Sequence, residues 1–386
     1  MKLLVVKWGA YTQPDIDETF QMNHIICKQV CYCFNDKAHD DFFSRHFAKY
    51  LLADTYDAVF SVNYFPLIAQ ACYDNNVKYL SWSYDNPLNV PSIEDTLGYE
   101  TNYVFLFDRI QVEGFQAKGY TNVYHLPLGI NPFRLQKLQL SPSDLERYSS
   151  EVSFVGKLYY STFNELLPPL DEYHQGYLKA IAEAQSKIYG YYFIDELLTD
   201  ELMKTLNEMY CHGLATDSFH INREQLSYSI ATNITHKERL TILSLLSRRH
   251  QVKLYSSDTH PILKDVIFCG TTNYNGEMNK IFRASKINLN INLKISQSGM
   301  PLRTLDILGS SGFLLSSFQP ELAEYFIADS EVVFYTDIQE AVDKTAFYLA
   351  HEDLRSQIAI NGCQKAHEEF NYTKLFTELF KTAEVL

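Results

Sequence analysis

The stretch SKINLNINLKISQSGMPLRTLDILGSSGFLLSS, residues 285–317, reads as a complete strand–helix–strand unit. In Ile287–Leu293 the apolar Ile287, Leu289, Ile291 and Leu293 alternate with Asn288, Asn290 and Asn292. Period two makes this a strand with all three amides on one face. A buried amide ladder needs partners, which a neighbouring helix or water would supply. A polar loop with Ser296, Ser298 and Gly299 follows, and Pro301 stands where a helix begins. Leu302–Leu308 reads as that helix and Phe313–Ser316 as the next strand, which makes a parallel βαβ unit.

The same rhythm runs outward in both directions. Towards the N-terminus, strands are expected at Leu3–Trp8, Ile25–Phe34, Ala58–Val62, Tyr79–Tyr84, Val104–Phe107 and Val123–Leu126, with helical patterns between several of them. A polar interruption spans Pro132 to Pro142, and the strand Val152–Val155 then ends in Gly156. Residues 165–225 read as mostly helical with no strand rhythm, as an insertion would. The alternation resumes with a helix at Lys237–Ser247, strands at Val252–Tyr255 and Val266–Cys269, and a helix at Glu277–Ala284. Such alternation predicts an α/β chain of two Rossmann-like, doubly wound domains facing a cleft. A length of 386 residues fits two domains. The expected boundaries are 1–145, then 146–370 with the insert at about 165–225. A closing helix in 371–386 is expected to pack back on the first domain.

Composition excludes several classes. A net charge of −14 offers no basic footprint for nucleic acid. The N-terminal apolar run MKLLVVKW is too short for a signal peptide or a membrane span, so a cytoplasmic protein is expected. The seven cysteines are scattered, and Cys27, Cys31 and Cys33 have no matching His/Cys set, so no zinc site is expected. The 28 tyrosines read mainly as core aromatics, with a few available to line a sugar or base pocket.

The familiar nucleotide motifs are missing. WGAYTQPD follows the first strand in place of a GxGxxG, and the Gly156–Lys157 pair runs into Leu158, not Ser or Thr. Asp15 and Asp17 form a literal D-x-D, but at a helix start, where capping explains them better than a metal. Arg303 and Asp306 lie three apart on one helix face. Beside a helix N-terminus they fit a pyrophosphate seat with a ribose-binding carboxylate. They fit a plain intrahelical salt bridge equally well. Asp85, in YDNP at a strand's carboxyl end, points towards a cleft. It is a candidate general base, and Asp-Asn-Pro is also strong turn chemistry. Asp108 reads as a helix cap.

Several motifs, taken in order, resemble those of GT-B glycosyltransferases, and most closely the spore-maturation CgeB-like group. They are YLSWSYDNPL at 79–88, NYVFLFDR at 102–109, NVYHLPLGIN at 122–131, SFVGKLY at 153–159, ERLTILSLL at 238–246, and SKINLN, SGMPLR, LDILGSSGFLL and QPELAEYF within 285–326. The resemblance implies a metal-independent transfer from a nucleotide-sugar, UDP-sugar favoured, to a protein or cell-surface glycan. No cofactor is implied. Donor contacts are expected from Gly156, Lys157, Tyr274, Ser298, Gly299, Arg303 and Asp306. Lys157 and Arg303 would balance the diphosphate, and Tyr274 lies where such folds hold the base. Many retaining members carry two Glu around this helix. Asp306 keeps the second position as a carboxylate, and Ser298 departs from the first. His125 and Asn292 are candidate sugar or phosphate contacts, with His125 equally readable as a satisfied cleft-wall residue. The departure at Ser298 keeps a non-catalytic sugar- or nucleotide-binding protein open, and a nucleotide-sugar epimerase fits the same fold. The insert is expected to cap the cleft or mediate self-association.

Overall fold

Two six-stranded parallel sheets frame the computed structural model, which describes residues 1–386 except 35, 37–38, 89, 91–92 and 215–217. The first sheet holds β1 (Lys2–Lys7), β2 (Ile26–Cys31), β3 (Ala58–Val62), β4 (Tyr79–Ser83), β5 (Asn102–Leu106) and β6 (Val123–His125). Their order is β2-β1-β3-β4-β5-β6. The second holds β7 (Ser150–Val155), β8 (Val252–Tyr255), β9 (Ile267–Phe268), β10 (Ser285–Asn290), β11 (Leu314–Ser317) and β12 (Val333–Tyr335). Their order is β12-β11-β10-β7-β8-β9. The strand order reverses between β1 and β3 in one sheet and between β7 and β10 in the other. Those two crevices are where open α/β sheets bind ligands.

Central strands are apolar throughout because helices cover both faces. Along β1, Leu3 and Val5 face one layer while Leu4 and Val6 face the other. The layer under Leu3 and Val5 is completed by the far end of the chain. The Tyr372–Thr382 helix, capped by Asn371 accepting from Lys374 N at 3.0 Å, buries Leu375, Phe376, Leu379 and Phe380. Phe376 meets the rings of Phe20, Phe60 and Trp82 of the first domain at 4.6, 5.5 and 5.2 Å. Truncating such a ring costs about 3–5 kcal/mol. The two interdomain passages run side by side, with Ile130 N donating to Phe370 O at 2.8 Å and Tyr372 N to Ile130 O at 2.9 Å. Gly129 permits this approach, because a Cβ there would stand 2.6 Å from Leu375 and 2.9 Å from Phe370 O.

The helix expected at Lys237–Ser247 is longer and starts at Arg223. Asn222 and Gln225 form a capping box at its start. Its first half packs Leu226, Ile230 and Ile234 on the insert, where Leu178, Ile181, Leu206 and Tyr210 form a separate core. Its second half packs Ile242, Leu243 and Leu246 on the second sheet. Burial that changes face along the helix hides its period in the sequence. Among the described residues, no helix is long and apolar enough to cross a membrane.

Candidate active site between the two sheets

The carboxyl ends of the two sheets face each other. On the second-domain side, the crevice between β7 and β10 holds Arg239, which is 7% exposed. It projects from the Arg223–Ser247 helix. Its Nε and Nη2 donate to Ile291 O just past β10, and Nη1 donates to Lys157 O just past β7. The guanidinium also lies against the rings of Phe154 and Tyr159, at 5.1 and 4.7 Å. Among the described residues no carboxylate reaches ion-pair distance of it, and burial holds its pKa below the ordinary guanidinium value. A buried cation normally has a counter-charge, since its desolvation is costly. Gly156 lines this crevice, where a Cβ would come to 3.9 Å of Arg239 Nη1. The Lys157 side chain is exposed.

The Leu302–Gly309 helix supplies the adjacent wall. Asp306 is 2% exposed, accepts from Tyr274 Oη at 3.0 Å, and lies 4.0 Å from Arg303 Nη1. Burial pushes its pKa up to about 6, against the pull of Arg303 and Arg134. Arg303 also contacts Met278 and stands 5.6 Å over Phe282, so its bond to Asp306 is loose. Tyr274 is half-buried, with Tyr11 of the first domain 4.7 Å from its ring and Arg134 5.5 Å from it. The Tyr11 phenol is pushed up to about 12, by desolvation first and then by Asp306. The charge of Asp85 raises it too, after these.

On the first-domain side, the crevice between β1 and β3 is filled by Trp8, whose Nε1 donates to Val62 O at 2.7 Å. Asp85 follows β4 and is exposed, with Asn63 Nδ2 donating to it at 2.7 Å. Its charge also raises the Tyr228 pKa from the insert side, after desolvation and Tyr159. This side therefore carries the Asp85 carboxylate, where the crevice between β7 and β10 carries the Arg239 guanidinium.

Three sequence candidates sit instead in a contact that ties the domains together. Ser298 is 4% exposed, and its Oγ lies 2.9 Å from Asp108 Oδ1 and 2.7 Å from Glu321 Oε1. Gly299 touches the first domain so closely that a Cβ would stand 2.7 Å from Phe107 O. His125 Nε2 lies 2.8 Å from Glu321 Oε2, which places it on Glu321. Asp108 caps its helix by accepting from Gln111 N at 3.2 Å, and it also accepts from Ser298 N at 3.1 Å. Asn292 is spent inside the second domain: it lies beyond β10, which ends at Asn290, and its Nδ2 donates to Ser317 O at 3.3 Å. Asn288 and Asn290 are likewise satisfied by Ser153, Thr304 and Ser316.

Two sequence readings need correction. Asp15 does not cap its helix. It forms a two-pronged ion pair with Arg134, at 2.6 and 2.7 Å, because burial at 2% exposure demands a counter-charge. The strand expected at Ile287–Leu293 is Ser285–Asn290, since the Arg239 guanidinium takes up Ile291 O where the ladder would continue. Sequence reasoning also missed Arg239, Tyr11 and Glu321. The sequence places Glu238 and Arg239 at the head of the apolar stretch LTILSLL, after His236 and Lys237, which gave a weak signal at most. Tyr11 and Glu321 carry no such signal. Among the described residues, no group of His, Cys, Asp and Glu has a metal-holding arrangement.

Residues 239–381 match a family model described as glycosyl transferase-like. A search of curated protein sequences finds no match. Among solved structures, HepE of Anabaena in complex with UDP-glucose aligns with a TM-score of 0.58 at 9% identity, covering 100% of both chains. Sucrose-phosphate synthase of Thermosynechococcus elongatus aligns with a TM-score of 0.58 at 9% identity, covering 100% of this chain and 98% of that one. WaaG, a glycosyltransferase of lipopolysaccharide biosynthesis, aligns with a TM-score of 0.53 at 11% identity and 99% coverage of both. Residues 239–381 are thus glycosyl transferase-like, and the whole chain has the GT-B fold of these structures.

Proposed function

We propose that the chain transfers a sugar from a UDP-sugar to a protein or glycan acceptor without a metal ion, with residues 146–370 holding the donor and 1–145 the acceptor. The observation that carries this reading is Arg239. It is a buried cation at the strand-order reversal of the second sheet, held by two main-chain carbonyls and lacking a carboxylate partner among the described residues. Its position matches the place where such sheets bind phosphate groups, and a diphosphate supplies the missing counter-charge. Arg303 and the N-terminus of the Leu302–Gly309 helix add positive potential beside it. Asp306 is placed one turn deeper for the ribose hydroxyls, with Tyr274 orienting its carboxylate. Asp85 takes the acceptor proton. The UDP-glucose complex of HepE supports UDP over other nucleotides. The ordered motifs favour the CgeB-like group, and the scattered cysteines favour a reducing, cytoplasmic setting.

Calorimetric titration with UDP, GDP and dTDP, followed by donor-hydrolysis assays on the matching sugars, tests the reading. UDP binding and slow release of UDP from one UDP-sugar are expected. If no nucleotide binds, the reading fails. A non-catalytic binding protein is the second reading, favoured by Ser298, whose hydroxyl is engaged between the domains. UDP binding without turnover under any acceptor would select it.

A further inference from the structure

A guanidinium is a flat group with five N–H donors in its plane. In Arg239, Nε and Nη2 donate to Ile291 O and Nη1 donates to Lys157 O, so three donors are engaged. Two remain, one on each Nη. They lie in the plane of the group, so the tilt of that plane decides where they point. Two acceptor oxygens define a line, and a plane bonded to them can rock about it. Contact on its faces is what stops the rocking.

That contact comes from two rings held in different ways. Phe154 lies 5.1 Å from the guanidinium carbon and is fixed within the buried strand β7. Tyr159 lies closer, at 4.7 Å, and belongs to neither a strand nor a helix. Its backbone has a φ of 59°, in the left-handed region that a β-carbon disfavours. The chain is tied down on both sides of it. His236 Nδ1 lies 3.0 Å from Leu158 O, and Ser161 Oγ donates to Ser229 O at 2.7 Å. Both partners are on the Arg223–Ser247 helix, which also carries Arg239. Backbone strain that the surroundings enforce is found at functional turns. Glycine or asparagine would make this turn with less strain, so what tyrosine adds is its ring.

We infer that Tyr159 is a positioning residue, whose ring sets the tilt of the Arg239 guanidinium and so the direction from which its two remaining N–H groups meet an oxyanion. That this oxyanion is the diphosphate of the donor rests on the reading proposed above. The positioning itself does not.

Heteronuclear NMR on the full chain with labelled arginine, beside calorimetric titration of UDP, tests the two separately. The Arg239 Nε–H signal is identified by its loss in Arg239→Met. A ring against the guanidinium should displace that signal from the random-coil position. Tyr159→Asn keeps the left-handed turn without the ring, and the signal should move back towards random coil. Tyr159→Phe keeps the ring, and the signal should stay. The dissociation constant of UDP should rise about tenfold in Tyr159→Asn and change less than about twofold in Tyr159→Phe, the scale of a desolvated cation–π contact. A mere turn residue would show neither the signal shift nor the rescue by Phe. A random-coil Arg239 signal in the parent overturns the inference, whether or not either variant folds. So does a signal unmoved in Tyr159→Asn, or one moved as far in Tyr159→Phe. Unchanged UDP affinity in Tyr159→Asn, where the parent binds UDP and Arg239→Met does not, overturns it as well. If the signals respond as stated and the parent binds no UDP, the positioning stands and the donor reading falls.

Discussion

The two strand-order reversals invite comparison, because the same topology is filled in opposite ways. Between β7 and β10 the crevice holds a buried guanidinium on main-chain carbonyls, with a second arginine nearby. Between β1 and β3 it holds the neutral indole of Trp8, which donates to Val62 O, and Asn63, just past β3, donates to the exposed carboxylate of Asp85 at 2.7 Å. Open sheets present binding sites at both places. Side-chain chemistry, not fold, decides what each can take. A cationic, desolvated crevice suits a diphosphate. An acidic, open one suits a neutral hydroxyl compound that must lose a proton. The proposed donor and acceptor sides rest on this asymmetry.

The sharpest way to break the assignment is at Asp85. Asp85→Asn keeps the shape and removes the base, so kcat should fall by about 10²–10⁴-fold with UDP affinity unchanged. A loss under tenfold would end its catalytic role. Next is Arg239→Met, which removes the counter-charge while filling the same space. UDP affinity should drop roughly a hundredfold by calorimetry, the scale of a charge-assisted contact to phosphate. The melting temperature should hold or rise, since a buried unpaired charge has gone.

Asp306 adds a pH test. Its pKa is raised in the folded protein, from the ordinary carboxylate value to about 6. The stability it contributes is therefore full below about pH 4 and lost as pH rises through 6, by at most about 3 kcal/mol. In Asp306→Asn that loss is absent. Stability measured by denaturant titration should shift in favour of the variant by about 2 kcal/mol between pH 4 and pH 7. Parallel profiles for parent and variant would refute the buried carboxylate. The smallest expected effect belongs to Arg303→Ala. Its side chain is 29% exposed and only loosely tied to Asp306, so UDP affinity should fall about tenfold. An unchanged affinity would reduce Arg303 to a wall of the cleft.

The strand–helix rhythm was legible because a parallel strand buried on both faces must be apolar over its length, as β1 and β3 are. The long helix from Arg223 was not, because its two halves bury different faces against different partners. Among the candidate residues, Arg303 and Asp306 were readable as neighbours from their three-residue spacing, and Asp85 as a strand-end group from its place after β4. Ser298 and His125 were readable as polar groups near the cleft but not as partners of Glu321, which lies 23 and 196 positions away in the chain. Local order in the sequence therefore determined the two α/β domains, the helical insert and the polar groups at strand ends, since propensity and period act over a few residues. The tertiary structure alone decided which groups distant in the chain meet: Arg239 with the carbonyls of Lys157 and Ile291, Tyr11 with Tyr274, and the closing helix on the first sheet. Counter-charge and desolvation depend on distance in space, and chain separation carries no record of it.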